Sequence, residues 1–568
     1  MNKRKRKKNT GAIRLPRTAA PIVAEGRERV VIDAVRPIAD GGRFAIKRIE
    51  GERVVVEADI FADGHDELSA ALLYRHGEGG EWIEVPMQPS ANDIWRAQFQ
   101  VTGLGDYYYT VRAWIDRFKS WRHGFEKKLA AGQDVDVELL AGAELVTHGA
   151  KRANGSQRKT LERVAKALRA ETIKASELAL TKELATLMAQ HPDRRWAVTY
   201  GKELRVAVER RRAQFSAWYE MFPRSCAPTA GVHGTFKDCI ARLPYVASMG
   251  FDVLYLPPIH PIGKSFRKGK NNAMSAAPDD VGSPWAIGAK EGGHKSIHPQ
   301  LGTLADFHRL VAKAKEQGLE IALDIAFQCT PDHPYVKDHP EWFRKRPDGS
   351  IQYAENPPKK YQDIYPIDFE SEDWQELWRE LKSIVIYWCE QGVRIFRVDN
   401  PHTKALPFWE WAIAEVRKEY PDTIFLAEAF TRPKVMYRLA KLGFSQSYSY
   451  FAWRNTSAEL TEYFTELTQT AVAEYFRANL WPTTPDILTE YLQFGGRPAF
   501  MARLVLAAML GANYGIYGPA FELCENVARE AGSEEFLNSE KYQLRHWDLA
   551  QPDSLKEIIA LVNRIRRD

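Results

Sequence analysis

The stretch VRIFRVDNPH at residues 393–402 is apolar and β-favouring as far as Val398, interrupted by Arg394 and Arg397, and turns polar at Asp399, Asn400 and His402. A short run of this kind reads as a buried parallel strand whose C-terminal end emerges at a polar surface. The same pattern recurs on both sides of it. AWYEMF (217–222), FDVLYLPP (251–258), LEIALDIAF (319–327), TIFLAEAF (423–430), FSQSYSY (444–450), a weaker run in NLWPTTPDIL (479–488) and NYGIYG (513–518) continue the series. Amphipathic stretches such as LADFHRLVAKAKEQG (304–318) and WQELWRELKSIVIYWCEQG (374–392) lie between them. About eight alternating units predict an α/β fold, a closed (β/α)8 TIM barrel.

Upstream the texture differs. ERVVVEADIF (52–61) and DYYYTVRAWID (106–116) alternate with period two between turn residues, and residues 21–122 are expected to form an N-terminal β-sandwich. ERVAKALRAETIKASELALTKELATLMAQ (162–190) has helical spacing, so residues 123–215 are expected to form a small helical domain. Residues 216–568 make up the barrel, with loop insertions at about 258–300 and 327–375. A chain of 568 residues exceeds what one core serves, in keeping with several domains.

The formal net charge of +5 comes from one place: Lys3, Arg4, Lys5, Arg6, Lys7 and Lys8 outweigh it. Residues 1–20 therefore read as a basic disordered tail, with localisation or polyanion binding as weaker readings, and nucleic-acid binding is not expected of the folded part. No stretch approaches the roughly 18 apolar residues of a membrane span, and no apolar segment follows the basic start, so a cytoplasmic protein is expected. Five widely spaced cysteines without a C-x-x-C pair indicate neither a disulfide framework nor a zinc site. GKSFRKGKN (263–271) is no phosphate loop, because five residues separate its glycines and Asn271 replaces Ser or Thr. The acceptor triplets at Asn154 and Asn455 carry no weight without a secretory signal.

In a parallel barrel, reacting groups sit at the C-terminal ends of strands. Arg397 and Asp399 share a face of their strand, and an arginine beside a carboxylate keeps it ionised. Glu428 ends the next run between apolar neighbours, a setting that raises a carboxyl pKa. One ionised and one protonated carboxyl, about 5–5.5 Å apart, is what retaining glycosyl transfer requires.

GVRIFRVDNPH, FLAEAF and TPDIL resemble the catalytic strand motifs of the α-amylase superfamily. WYEMFPRS, DVLYLPPIHPIG, FRKGKNN, KKYQDIYPIDFE, NPHTK, AEAFTRP and SEKYQLRHWDL narrow the resemblance to the maltose-1-phosphate maltosyltransferases. Gln328 and Cys329 stand where amylases have Asn-His, and Pro485 precedes Asp486 where they have His. The resemblance implies Asp399 as nucleophile, Glu428 as general acid/base and Asp486 as transition-state stabiliser. It implies donor contacts from Lys268, Gln328, Asp363, Arg397, Asn400, Lys541 and Tyr542, and phosphate contacts from Asn272, Asn356, Lys359 and Tyr361. The implied reaction is retaining transfer of maltosyl units from α-maltose 1-phosphate to α-1,4-glucans, by a homodimer, with no metal and no cofactor. The resemblance also implies a C-terminal β-sandwich, which is expected to be missing after residue 568. An α-glucan hydrolase or trehalose-interconverting enzyme is a second reading, and a catalytically impaired glucan-binding protein a third.

Overall fold

The computed structural model describes residues 25–170, 173–357 and 359–568; the basic tail of residues 1–20 lies outside them. Eight parallel strands close into a barrel in chain order. They are β1 (Ser216–Glu220), β2 (Val253–Leu256), β3 (Glu320–Ile325), β4 (Ile395–Val398), β5 (Ile424–Ala427), β6 (Gln446–Tyr448), β7 (Ala478–Leu480) and β8 (Asn513–Tyr517). Each of the eight apolar runs supplies one, and β8 pairs with β1 from Asn513 opposite Ser216 to Tyr517 opposite Glu220. β7 is only three residues long, since Pro482 and Pro485 have no N–H for the ladder, and Asp486 falls in a loop. Trp218, Tyr255, Ile395, Leu426, Tyr448 and Trp481 fill the lumen, so the barrel is a packed core. Gly515 on β8 makes room for Trp481: a Cβ there would lie 2.3 Å from the indole.

The N-terminal sandwich has a four-stranded sheet and a six-stranded one. Its strand Arg53–Ala62 buries Val54, Val56, Ala58 and Ile60 in alternation. The helices Arg117–Ala130, Asp136–Arg152, Gly155–Leu168, Ile173–Ala179 and Lys182–Ala189 share a core around Phe125, Leu139, Val146 and Leu161. The helical segment expected over residues 123–215 thus differs from the observed one. Helices begin at Arg117 and stop at Ala189, after which Leu204–Glu209 enters the six-stranded sheet between Ile46–Ile49 and Gly105–Ile115. LRVAVE buries Leu204, Val206 and Val208 with period two, a strand signal masked by the charged residues around it. The helices are an insertion in the sandwich.

Glu209, at the end of that strand, joins sandwich to barrel. Its buried carboxylate accepts from Arg417 at 2.6 Å and also pairs with Arg477. Among the described residues no helix is long and apolar enough to cross a membrane.

The two long loop insertions are pinned to each other by buried histidines. His333 accepts from the Tyr335 backbone N–H (3.0 Å) at Nδ1, so its Nε2 donates to His294 Nδ1 at 3.1 Å. His294 Nε2 in turn donates to the Ala326 carbonyl (2.9 Å), and His260 Nδ1 to that of Ser296 (3.0 Å). Only glycine fits around this chain: a Cβ on Gly288 or Gly293 would come within 2.2 Å of the His333 ring. Burial holds the three rings neutral, pulling His260 down to about 3, His294 to about 4 and His333 to about 2 from 6.5. The unfolded segment binds more protons than the folded one between those values and 6.5, so local stability is lost as pH falls below about 6.5. Each histidine contributes about 1.4 kcal/mol per pH unit to that loss. Asp324 and Glu428 at the barrel mouth shift in the opposite sense, so the readout must be local. Hydrogen exchange in residues 286–298 and 327–336, corrected for intrinsic rates, is expected to accelerate between pH 6.5 and 5. Unchanged protection over that range would contradict it.

Candidate active site

The C-terminal ends of β3, β4 and β5, with the loops after β2, β3, β7 and β8, enclose a cavity of about 880 Å³. At its floor lies Arg397, whose side chain is only 6% exposed. Its Nη1 donates to Asp324 Oδ2 at 2.8 Å and to Asp399 Oδ1 at 2.9 Å, while Nη2 faces Glu428 Oε1 at 3.4 Å. One guanidinium fork therefore holds the carboxylates of three successive strands. Asp324 is fixed in turn by the Tyr255 hydroxyl (2.5 Å) and the Trp285 indole N–H (3.3 Å).

The two carboxyls at the cavity differ in charge state for physical reasons. Burial works to raise Asp399, but the positive charges of Arg397, Lys404 and Lys541 outweigh it and hold the group below its ordinary range. Burial pushes Glu428 up to about 7; the charge of Asp399 adds to the rise and Arg397 opposes it. Near neutrality the pair is one anion and one titrating acid on the two arms of a single fork, which favours the short separation of retaining rather than inverting chemistry.

Asn400 touches both. Its backbone is left-handed (φ 43°), a conformation asparagine tolerates better than most residues. In that turn its N–H donates to Glu428 Oε2 at 3.1 Å and its side-chain amide to Asp399 Oδ2 at 3.3 Å.

The structure brings most of the sequence-derived candidates together. Lys268, Asn272, Gln328, Tyr361, Asp363, Asn400, Lys541 and Tyr542 line the cavity with Asp399, Glu428 and Asp486. Arg397 lies beneath its wall. Lys541 Nζ donates to Asp486 Oδ1 at 2.6 Å, and Gln328 Nε2 to the Trp285 carbonyl at 3.0 Å. Asp363 is buried with Oδ1 unpartnered. The side chains of Asn356 and Lys359 lie outside the described part; their backbones form the hairpin Ala354–Asn356 and Lys359–Tyr361, whose Ala354 and Glu355 line the cavity.

Three residues of the site were not among the candidates. Asp324 is a carboxylate in the middle of the apolar run LEIALDIAF, and a buried charge demands a partner, which was its signal. Trp285 carried none. Lys404 closes the motif NPHTK and lines the cavity beside the two carboxyls.

A closed (β/α)8 barrel with paired carboxyls at its C-terminal mouth defines a barrel enzyme of the carbohydrate-active class. A family model described as "Alpha amylase, catalytic domain" matches residues 220–380, and one described as "Alpha-1,4-glucan:maltose-1-phosphate maltosyltransferase, domain N/S" matches residues 28–210. The maltosyltransferase of that name from Chlorobaculum tepidum is 56% identical over 96% of this chain and 81% of its own length. Those from Methylacidiphilum infernorum and Myxococcus xanthus are 53% and 51% identical, over 96% and 95% of this chain and 81% and 82% of their own. The chain belongs to the α-1,4-glucan:maltose-1-phosphate maltosyltransferase family.

Proposed function

We propose that this protein transfers maltosyl units from α-maltose 1-phosphate to the non-reducing 4-hydroxyl of α-1,4-glucans, with release of phosphate and retention of the α configuration. The observation that carries the reading is the Arg397 fork, with anionic Asp399 on one arm and Glu428 on the other.

In the first step an Asp399 oxygen attacks the anomeric carbon and the bond to phosphate breaks, with Glu428 giving its proton to the departing oxygen. The product is a β-maltosyl ester on Asp399. In the second step Glu428, now anionic, takes the proton of the acceptor 4-hydroxyl; that oxygen attacks the anomeric carbon and the ester bond breaks. Asp486, paired with Lys541, orients the ring next to the reacting carbon. Lys268, Gln328, Asp363, Asn400, Lys541 and Tyr542 are assigned to the donor sugars, and Asn272, Asn356, Lys359 and Tyr361 to its phosphate. Amide, phenol and ammonium donors suit those oxygens. No metal or organic cofactor enters this scheme.

The reading includes a homodimer joined through the N-terminal domains and a cytoplasmic location. Val31, Val55 and Phe61, exposed on one face of the four-stranded sheet, support the first. Five free cysteines, four of them buried, suit a reducing compartment.

Phosphate release from α-maltose 1-phosphate is expected to depend on a maltooligosaccharide acceptor and to lengthen it by one disaccharide at a time. Equal release without acceptor, accompanied by free maltose, would identify a hydrolase instead.

A further inference from the structure

A lysine of the catalytic cavity has no ligand assigned to it so far. Asn400, left-handed, starts the turn Pro401–Thr403, and Lys404 N–H closes it by donating to the Pro401 carbonyl at 3.2 Å. The buried Trp409 indole N–H holds the same carbonyl at 2.9 Å, so the turn is clamped from below and Lys404 returns to the cavity wall. Its Nζ donates to Thr403 Oγ1 at 2.9 Å, and Thr403 Oγ1 donates to the Asn400 carbonyl at 2.8 Å. A lysine ammonium has three donors. Among the described residues that hydroxyl is the one hydrogen-bond partner of the Lys404 ammonium, and no carboxylate comes within ion-pair distance of it. Burial draws the ammonium below the ordinary lysine range, while the charges of Asp399 and Glu428 pull it back up.

This is an ammonium with spare donors on the wall of the cavity that Asp399 and Glu428 share. The leaving group departs beside the acid that protonates it, and a phosphate brings up to two negative charges to a place already holding two carboxyls. We propose that Lys404 binds the phosphate of the sugar phosphate donor, and holds the phosphate after it has left. The assignment rests on the function proposed above. It adds a contact from the chain segment directly after Asp399, on a different loop from Asn272 and from the hairpin of Tyr361.

The test compares two donors in the full chain: α-maltose 1-phosphate, and α-maltosyl fluoride, which has no phosphate to hold. Lys404→Met is expected to lower kcat/KM about 10- to 100-fold more with the phosphate donor than with the fluoride, the range of one lost charge-assisted hydrogen bond. Lys404→Arg should recover part of the difference by restoring the charge, and it stands in should the methionine variant fail to fold. Titration of inorganic phosphate by calorimetry is expected to show weaker binding to Lys404→Met by a similar factor. Equal losses with both donors would mean that Lys404 acts only through the carboxyls or on the acceptor, and would overturn the assignment. So would unchanged phosphate affinity. A chain that turns over neither donor would overturn the proposed function, while the phosphate titration still decides the role of Lys404.

Discussion

Asp399→Ala is expected to cut phosphate release from α-maltose 1-phosphate by on the order of 10⁵-fold, the scale seen when an enzyme loses its nucleophile. The fold should survive, because Arg397 keeps Asp324 at 2.8 Å and Glu428 at 3.4 Å. Alanine also removes the anion that helps to raise Glu428, so residual activity should lose its acidic group at lower pH than the parent. The decisive readout is chemical. Azide placed in the vacated space can attack the anomeric carbon from the face Asp399 used, giving β-maltosyl azide and restoring phosphate release. An α-configured azide product, or a variant retaining a tenth of the activity, would remove Asp399 from the role of nucleophile.

Glu428→Gln is expected to lower turnover of the phosphate donor by about 10²- to 10⁴-fold, the range for loss of a general acid/base. Its signature is a pH limb. The folded group sits near 7, above its ordinary 4.5, so the protonated form needed in the first step is present below about pH 7 and is lost as pH rises through it. The parent should therefore show kcat/KM for the donor falling tenfold per unit above that pH, and Glu428→Gln should show no such limb. If the limb persisted unchanged in the glutamine variant, another group would be the acid.

Much of this was legible in the chain. Six of the barrel strands announce themselves as apolar runs, FSQSYSY and NLWPTTPDIL more faintly, and the polar ends of the fourth and fifth hold the two carboxyls, because strand geometry converts sequence order into position at the barrel mouth. The helical insertion was less legible: its start and end depend on where the sandwich takes the chain back, a pairing between Leu204–Glu209 and strands near residues 46 and 105 that local pattern does not encode. The far loops were opaque for a similar reason. Lys541 and Tyr542 lie in a long excursion after β8 with no periodic pattern, and they came from family resemblance alone. The triple use of Arg397 could not be read either, since spacing along one strand pairs it with Asp399 but not with Asp324 across the barrel.

The contact of Glu209 with Arg417 and Arg477 bears on how the chain can be divided. A barrel cut free at residue 216 would retain both arginines and lose the one carboxylate they share, leaving two cations at its base facing each other without compensation. The same cut would uncover the barrel face that the sandwich shields, so the ion pairs and the buried contact around them would be lost together. The unit in which the barrel can be expressed, evolved or grafted onto another protein is therefore the barrel together with its sandwich, although the catalytic cavity touches only one of them.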